Sequence, residues 1–142
     1  MGSISPYGVQ RGQQVDVFLH GARLADIQEV FLYEPGIEVV ELAAESEEKV
    51  KAVLNIDANC RLGQHGVRVR TATGVSNLRT LSVGAMPNVA EVEPNSDFAA
   101  PQKIDINVTV NVVAENDDAD YSLVEMQGGQ RLAAALGDIW LG

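Results

Sequence analysis

The chain has few of the side chains on which soft metal centres and nucleophilic active sites depend. It contains one cysteine and two histidines in 142 residues. A single cysteine excludes an internal disulfide, and this small set of sulfur and imidazole ligands argues against a zinc site. Cys60 is therefore expected to be a buried and unreactive thiol.

Basic side chains are also scarce. Ten lysines and arginines stand against twenty aspartates and glutamates, which gives a formal net charge of -10. This balance argues against a nucleic-acid partner, because such partners require basic surfaces. The excess is uneven, since residues 1–85 carry a net charge of -2 and residues 86–142 carry -8. The difference predicts two domains with a boundary near residue 86.

Two further signals are missing. No apolar run is long enough to span a membrane, and no Gly-x-Ser-x-Gly nucleophile elbow is present. His20 and His65 both lie in strand patterns, so structural roles are expected for them and no catalytic residue is predicted. The alternative is a hydrolase fragment. A pocket that brings either histidine within hydrogen-bond distance of a serine or cysteine would favour it.

Short alternating segments separated by glycine and proline fill the first half. Three of them have their apolar positions at Val15, Val17 and Leu19; at Val50, Ala52, Leu54 and Ile56; and at Val67 and Val69. Such strands predict an antiparallel β-sandwich. Arg68 and Arg70 share the opposite face of their strand. A solvated face that opposes glutamates is expected there, with an anion site as the alternative.

The second half contains the strongest strand pattern, in which apolar residues alternate with polar ones from Ile104 to Val112. Residues 121–126 predict a further strand, and residues 131–136 are interpreted as its hairpin partner although three alanines favour helix. Three or four strands are few for a closed sandwich. We therefore expect a truncated module whose open edge is available to pair with a second copy.

Two acidic clusters flank this strand pattern. They read Glu91-Val92-Glu93-Pro94-Asn95-Ser96-Asp97 and Glu115-Asn116-Asp117-Asp118-Ala119-Asp120-Tyr121. So many carboxylates require a counter-charge, and ligands that are all oxygen indicate calcium. The spacing is not that of an EF-hand. A solvated turn rich in Asn and Asp is the alternative for the second cluster.

The two clusters supply a candidate ligand set. Glu91 and Glu93 alternate along an extended segment and therefore share a face, while Asn95 offers a neutral oxygen. Asp117 and Asp120 straddle a turn and can converge. The backbone carbonyl of Tyr121 is available to complete the shell.

Glycines and alternating valines form a recognisable pattern in the first half. Its parts are, in chain order, Pro6-x-Gly8, Gly12, Val15-x-Val17-x-Leu19-x-Gly21, Leu24, Gly63, Val67-x-Val69, Gly74-x-Ser76 and Leu81-x-Val83. On these residues, positions 4–83 resemble the IPT/TIG family of immunoglobulin-like domains. The resemblance implies an immunoglobulin-like sandwich, with glycines at tight turns that need positive φ. An immunoglobulin-like sandwich of another lineage is the alternative.

Residues 91–142 resemble the first part of the bacterial pre-peptidase C-terminal domain. The resemblance depends on Glu91-x-Glu93-Pro94-Asn95, on Asp117-x-x-Asp120-Tyr121 and on Gly129-Gln130-Arg131-Leu132. It implies a jelly-roll-like sandwich and the calcium ligands Glu91, Glu93, Asn95, Asp117, Asp120 and Tyr121. Ser96 stands where such relatives often carry Asp or Asn, which implies a weaker site.

Together these observations predict an all-β chain of two tandem β-sandwich modules. An immunoglobulin-like domain is expected at 1–85, a linker at 86–90 and a partial pre-peptidase C-terminal-like domain at 91–142. The pairing is similar to that in exported proteins of planctomycete-type bacteria, and implies a secreted, periplasmic or cell-surface location.

The function that these resemblances imply is that of a non-catalytic interaction or spacer module, with calcium stabilising the domain junction. Its expected partners are the neighbouring domains of a larger chain. A carbohydrate- or protein-binding module is a further alternative. An exposed aromatic platform formed by Trp140, Tyr33 or Tyr7 would favour it.

Overall fold

The computed structural model describes residues 1–112 and 119–136, and this part of the chain is all-β, as predicted. It contains strands, turns and irregular segments but no helix, so no membrane-spanning helix is found among these residues. The chain divides into two compact units, Met1–Asn88 and Val89–Gly142.

The first unit is built from nine strands, which form two sheets. They are β1 (Ser3–Ser5), β2 (Gly8–Gln10), β3 (Gln14–His20), β4 (Ile27–Leu32), β5 (Ile37–Ala44), β6 (Lys49–Ile56), β7 (Gly63–Thr71), β8 (Gly74–Val75) and β9 (Arg79–Gly84). Sheet A is antiparallel, in the order β1-β3-β6-β5. Sheet B has the order β2-β9-β7-β4, with β8 paired to β7 and β2 running parallel to β9.

Alternate residues of the central strands fill the space between the two sheets. Val50 and Ile56 of β6, Val69 of β7 and Leu81 of β9 are each no more than 1% exposed. Because successive side chains of a strand point to opposite faces, the apolar alternation of the sequence places one face of each strand in this core. The buried cluster takes side chains from both sheets, so the first unit is a β-sandwich.

The second unit contains β10 (Asn88–Ala90), β11 (Gln102–Ile104), β12 (Thr109–Asn111) and β13 (Ser122–Val124) among its described residues. They form two separate pairs, β10 with β12 and β11 with β13, and the second pair is parallel.

The predicted continuous strand from Ile104 to Val112 is wrong. The strand is interrupted between β11 and β12, where Asn107 adopts a φ of 60°. Asparagine tolerates this left-handed conformation better than other non-glycine residues. Ile106 is 42% exposed, so the alternating apolar residues do not all face a core.

The predicted hairpin between residues 121–126 and 131–136 is also wrong. Residues 131–136 form no regular element, and β13 pairs with β11 instead. The second unit consequently lacks the apolar burial of the first. All buried apolar side chains of the described residues belong to the first unit, whereas Asn95 is buried in the second.

Replacement of Leu81 tests the importance of the sandwich core. Leu81 is 0% exposed, so we expect Leu81→Ala to lower the free energy of unfolding by about 2–5 kcal/mol through lost burial and a cavity. Urea denaturation followed by circular dichroism measures the change. Leu62→Ala is the matched control, because Leu62 is 44% exposed and should lose well under half as much stability. Equal losses in the two variants would contradict the assignment of the core.

Candidate metal centre

Three carboxylates of the second unit lie close together. One oxygen from each of Glu91, Glu93 and Asp120 lies within 4.8 Å of the other two. Asp120 is far from the two glutamates in the sequence, so the fold brings the two acidic clusters together. A group of this kind could hold a metal ion, because hard cations are bound by carboxylate oxygens.

Backbone and side-chain hydrogen bonds hold the two acidic segments in place. The Tyr121 N–H donates to the Asn95 carbonyl at 3.0 Å, and the Gln102 N–H donates to the Tyr121 carbonyl at 2.9 Å. The Gln102 side chain accepts from the Val92 N–H at 3.1 Å and donates to the Ala90 carbonyl at 3.0 Å. Gln102 therefore connects both segments. This residue could not be predicted from the sequence, since a lone glutamine carries no signal for such a role.

Asn95 connects the two glutamates of the cluster. It is 1% exposed, and its Nδ2 donates to Glu91 Oε1 at 3.0 Å. Its backbone N–H donates to Glu93 Oε2 at 3.0 Å. Its Oδ1 is buried and has no hydrogen-bond partner among the residues that the structure describes. Because buried polar atoms are nearly always satisfied, this oxygen is available to a donor or a cation that the described residues do not supply.

The remaining predicted ligands differ in what the structure says of them. The Tyr121 carbonyl already accepts the bond from Gln102, although a carbonyl oxygen has a second lone pair. Asp117 lies outside the described residues, as does Trp140. Asp97 closes a local turn, because its Oδ1 accepts from the Ala99 N–H at 2.8 Å. Asp97 is not part of the group of carboxylates that converge with Asp120.

The first unit contains a second polar group, beside an open cavity of about 450 Å³. The cavity is lined by Glu34, Pro35, Gly36, Asp57, Asn59, Cys60 and Arg61. Cys60 Sγ lies 3.8 Å from Nε2 of the buried His65. The hydrolase alternative requires a contact of this kind. It also requires that the histidine can take the proton from the thiol.

The Cys60–His65 pair lacks the features of an activated nucleophile. His65 Nε2 lies 2.7 Å from the Arg61 carbonyl, which can only accept, so this nitrogen carries a proton and cannot take one from the thiol. Burial raises the pKa of the Cys60 thiol, which disfavours the reactive thiolate. Cys60 is buried, as the sequence predicted.

His20 makes a similar contact in sheet A, where its Nε2 lies 2.9 Å from Ser5 Oγ. A serine nucleophile also needs a third group to orient the histidine. Within residues 1–112 and 119–136, no carboxylate is paired with His20.

Glu34 lies between Arg61 and the buried histidine. Its Oε2 accepts from Arg61 Nε at 2.9 Å and lies 3.4 Å from His65 Nδ1. The hydrogen bond from Arg61 holds the pKa of the Glu34 carboxyl below its usual value of 4.5.

The lowered pKa of Glu34 predicts a pH-dependent contribution to stability. A depressed carboxyl pKa stabilises the fold above the unfolded-state pKa, and this contribution is lost as pH falls through the folded-state pKa. The free energy of unfolding of the wild type should therefore fall as pH drops below about 4.5. In Glu34→Gln, this decrease should be smaller. Urea denaturation between pH 3 and pH 7 measures this loss. Glu38→Gln is the control and should keep the wild-type dependence of stability on pH. If Glu34→Gln loses as much stability in acid as the wild type, the Glu34–Arg61 ion pair is not the cause of that loss.

Comparisons with known proteins assign no family to the chain. No family model matches the chain, and no curated protein is similar to it in sequence. Among solved structures, it is similar to the SGBP-B protein of the Bacteroides ovatus mixed-linkage glucan utilization locus, solved in complex with a mixed-linkage heptasaccharide. The identity is 14% and the TM-score 0.40, and the similarity covers 68% of this chain and 22% of that one. At this level, the similarity carries no argument about the ligand of this chain.

Proposed function

We propose that this chain is a non-catalytic interaction or spacer module of an exported bacterial protein, and that its second unit is stabilised by calcium. The observation that carries the proposal is the convergence of Glu91, Glu93 and Asp120 around one point. The resemblances of residues 4–83 to IPT/TIG domains and of residues 91–142 to pre-peptidase C-terminal domains remain predictions within this proposal.

The donor set favours calcium over softer metals. The three converging side chains offer carboxylate oxygens, and no cysteine or histidine belongs to the group. Calcium accepts six to eight oxygens in flexible geometry at about 2.3–2.6 Å, whereas magnesium demands a near-ideal octahedron. A cluster supplied by two irregular segments suits the more tolerant ion.

Asn95 supports the proposal through its orphaned oxygen. Rotation of the amide about χ2 exchanges Oδ1 and Nδ2, and this rotation would set Oδ1 in the position that is 3.0 Å from Glu91 Oε1. Neighbouring oxygens around a calcium ion lie roughly 3 Å apart, given bonds of about 2.3–2.6 Å. An ion between these two oxygens would remove their repulsion and satisfy the amide oxygen, in exchange for the hydrogen bond that Nδ2 now donates to Glu91.

The second unit is the part of the chain in which an ion would have the largest effect. Its described residues bury no apolar core, and the first acidic segment meets the second through the hydrogen bond that the Tyr121 N–H donates to the Asn95 carbonyl. An ion held by both segments would join them directly and stabilise the folded unit by mass action. A weak site suits an extracellular module, where dissociation constants of roughly 0.1–1 mM are typical.

A calcium titration of the wild type tests this proposal. With a dissociation constant of about 1 mM, 10 mM calcium should stabilise the second unit by about 1.4 kcal/mol relative to chelator. Calorimetric titration measures binding, and amide NMR signals of Asn95 and Tyr121 show where it occurs. Magnesium should bind more weakly.

Two variants of the first acidic cluster locate the ion. Glu93→Gln should weaken calcium binding about tenfold or more, because it removes a carboxylate from the group. Asp97→Asn is the matched control, since Asp97 lies in the same acidic segment but closes a local turn. Absence of binding by the wild type at 10 mM calcium, or equal weakening by the two variants, would refute the proposed site.

Asn95→Asp provides a test in which the size of the stability loss depends on calcium. Without calcium, the variant should lose about 1–3 kcal/mol, because aspartate cannot donate to Glu91 and adds a like charge. With calcium, the added carboxylate should strengthen binding and recover part of this loss. Thermal unfolding in chelator and in 10 mM calcium compares the two states. A loss that calcium does not reduce would show that no ion binds beside Asn95.

A further inference from the structure

Tyr33 and Leu78 form an exposed apolar patch on the outer face of sheet B. Tyr33 is 60% exposed and Leu78 is 48% exposed, and they lie on either side of Gly66. A Cβ at Gly66 would lie 3.2 Å from Leu78 Cδ1 and 3.4 Å from Tyr33 Cδ2, so both side chains cover the backbone of β7. The Tyr33 N–H also donates to the Gly66 carbonyl at 3.3 Å. The Tyr33 ring therefore packs on the backbone of β7, while much of its surface faces solvent.

Arg68 adds a positive charge beside this patch. Its guanidinium carbon lies 5.9 Å from the centroid of the Tyr33 ring. Arg61 and Arg70 are paired with Glu34 and Glu29, but Arg68 has no carboxylate within 4.0 Å among the residues described. Its Nε–H is buried and lacks a partner within the same residues. The sequence predicted a face of arginines opposed by glutamates, and this is found for Arg70 but not for Arg68.

The unpaired arginine specifies the charge of a ligand. Guanidinium is a planar fork of donors that matches a carboxylate, and it is more easily desolvated than an ammonium group. Among the described residues, Arg68 combines a guanidinium that lacks a carboxylate within 4.0 Å with an exposed aromatic ring beside it. Charge complementarity therefore favours an acidic ligand.

The position on a sheet face specifies the kind of ligand. Leu81 of β9 faces the core, so Thr80 and Ser82 on either side of it point to the outer face. Thr80 pairs with Gly66, and the two residues add hydroxyl groups near the patch. A sheet face offers only side chains, whereas a peptide strand is added at a sheet edge through main-chain hydrogen bonds. A ligand with a flat apolar side, hydroxyl groups and a carboxylate fits this surface better than an extended peptide.

We propose that the Tyr33 patch, defined as Tyr33, Gly66, Arg68 and Leu78, binds an acidic saccharide that contains uronic acid. The C–H face of a sugar ring lies on the Tyr33 ring, and the sugar carboxylate lies on the Arg68 guanidinium. Of the three aromatic residues considered from the sequence as a platform, Tyr33 is exposed, Tyr7 is half-buried and Trp140 lies outside the described residues. This site is independent of the calcium site in the second unit.

The test uses an oligosaccharide of galacturonic acid and the neutral galactose oligosaccharide of the same length. Both are titrated into the full chain in chelator, so that calcium cannot bridge the acidic sugar to the protein. We expect millimolar or tighter binding of the acidic probe, with shifts of the Tyr33 and Gly66 amide NMR signals. Binding should weaken as salt is added. The neutral probe should bind at least tenfold more weakly.

Three variants assign the contributions of the side chains. Tyr33→Ala and Arg68→Gln should each weaken binding of the acidic probe tenfold or more. Arg70→Gln is the matched control, because Arg70 lies on the same strand and face but is already paired with Glu29. Its affinity should change less than threefold. Circular dichroism verifies that each variant folds, and the amide shifts of the wild type locate the site even if Tyr33→Ala does not fold.

Four results with the saccharide probes would overturn the proposal, and a fifth comes from a peptide probe. They are no binding of the acidic probe at 10 mM, equal binding of the two probes, equal effects of Arg68→Gln and Arg70→Gln, and amide shifts away from the Tyr33 patch. Equally tight binding of a polyglutamate peptide would also overturn it, since the patch would then recognise negative charge rather than a sugar.

Discussion

The packing of sheet A against sheet B is the interaction on which the first unit depends. Val50, Leu81 and their buried neighbours are supplied by strands that lie far apart in the sequence, and each is removed from water only when both sheets are present. Burial of this kind is the dominant favourable contribution to folding. It also fixes which side chains face outward, because strand periodicity leaves no choice once one face is buried. The exposure of Tyr33 and Arg68 on the outer face of sheet B follows from the same core.

The second unit is organised by a different kind of contact. Its described residues bury Asn95 rather than a set of apolar side chains, and its short strands form two separate pairs. Carboxylates brought together in such a unit repel one another, and a buried amide oxygen without a partner among the described residues costs further free energy. A cation bound there would reduce the repulsion, which is why these residues form a candidate metal site. The first unit needs no such ion for its core.

Sequence periodicity predicted the first unit well and the second unit poorly, for a physical reason. In β6 and β7 the alternation reflects a real division between core and solvent, so the apolar positions are the buried ones. Between Ile104 and Val112 the same alternation does not separate buried from exposed side chains. Asn107 interrupts the strand there with a positive φ. The hairpin predicted for residues 131–136 failed similarly, because local propensity cannot show that β13 pairs with β11. Residue chemistry identified Glu91, Glu93 and Asp120 as a group, whereas Gln102 could not be found from the sequence.

The sequence by itself determined the all-β class, the faces of the main strands and the acidic character of the second half. These properties depend on periodicity and composition, which are local and can be counted along the chain. The tertiary structure decided which distant residues meet. It brought Asp120 to Glu91 and Glu93 and buried Asn95 beside the two glutamates. Among the described residues, it left Arg68 without a carboxylate while Arg70 gained one. Such contacts depend on strand pairing and on the path of irregular segments, and no local pattern in the sequence specifies them.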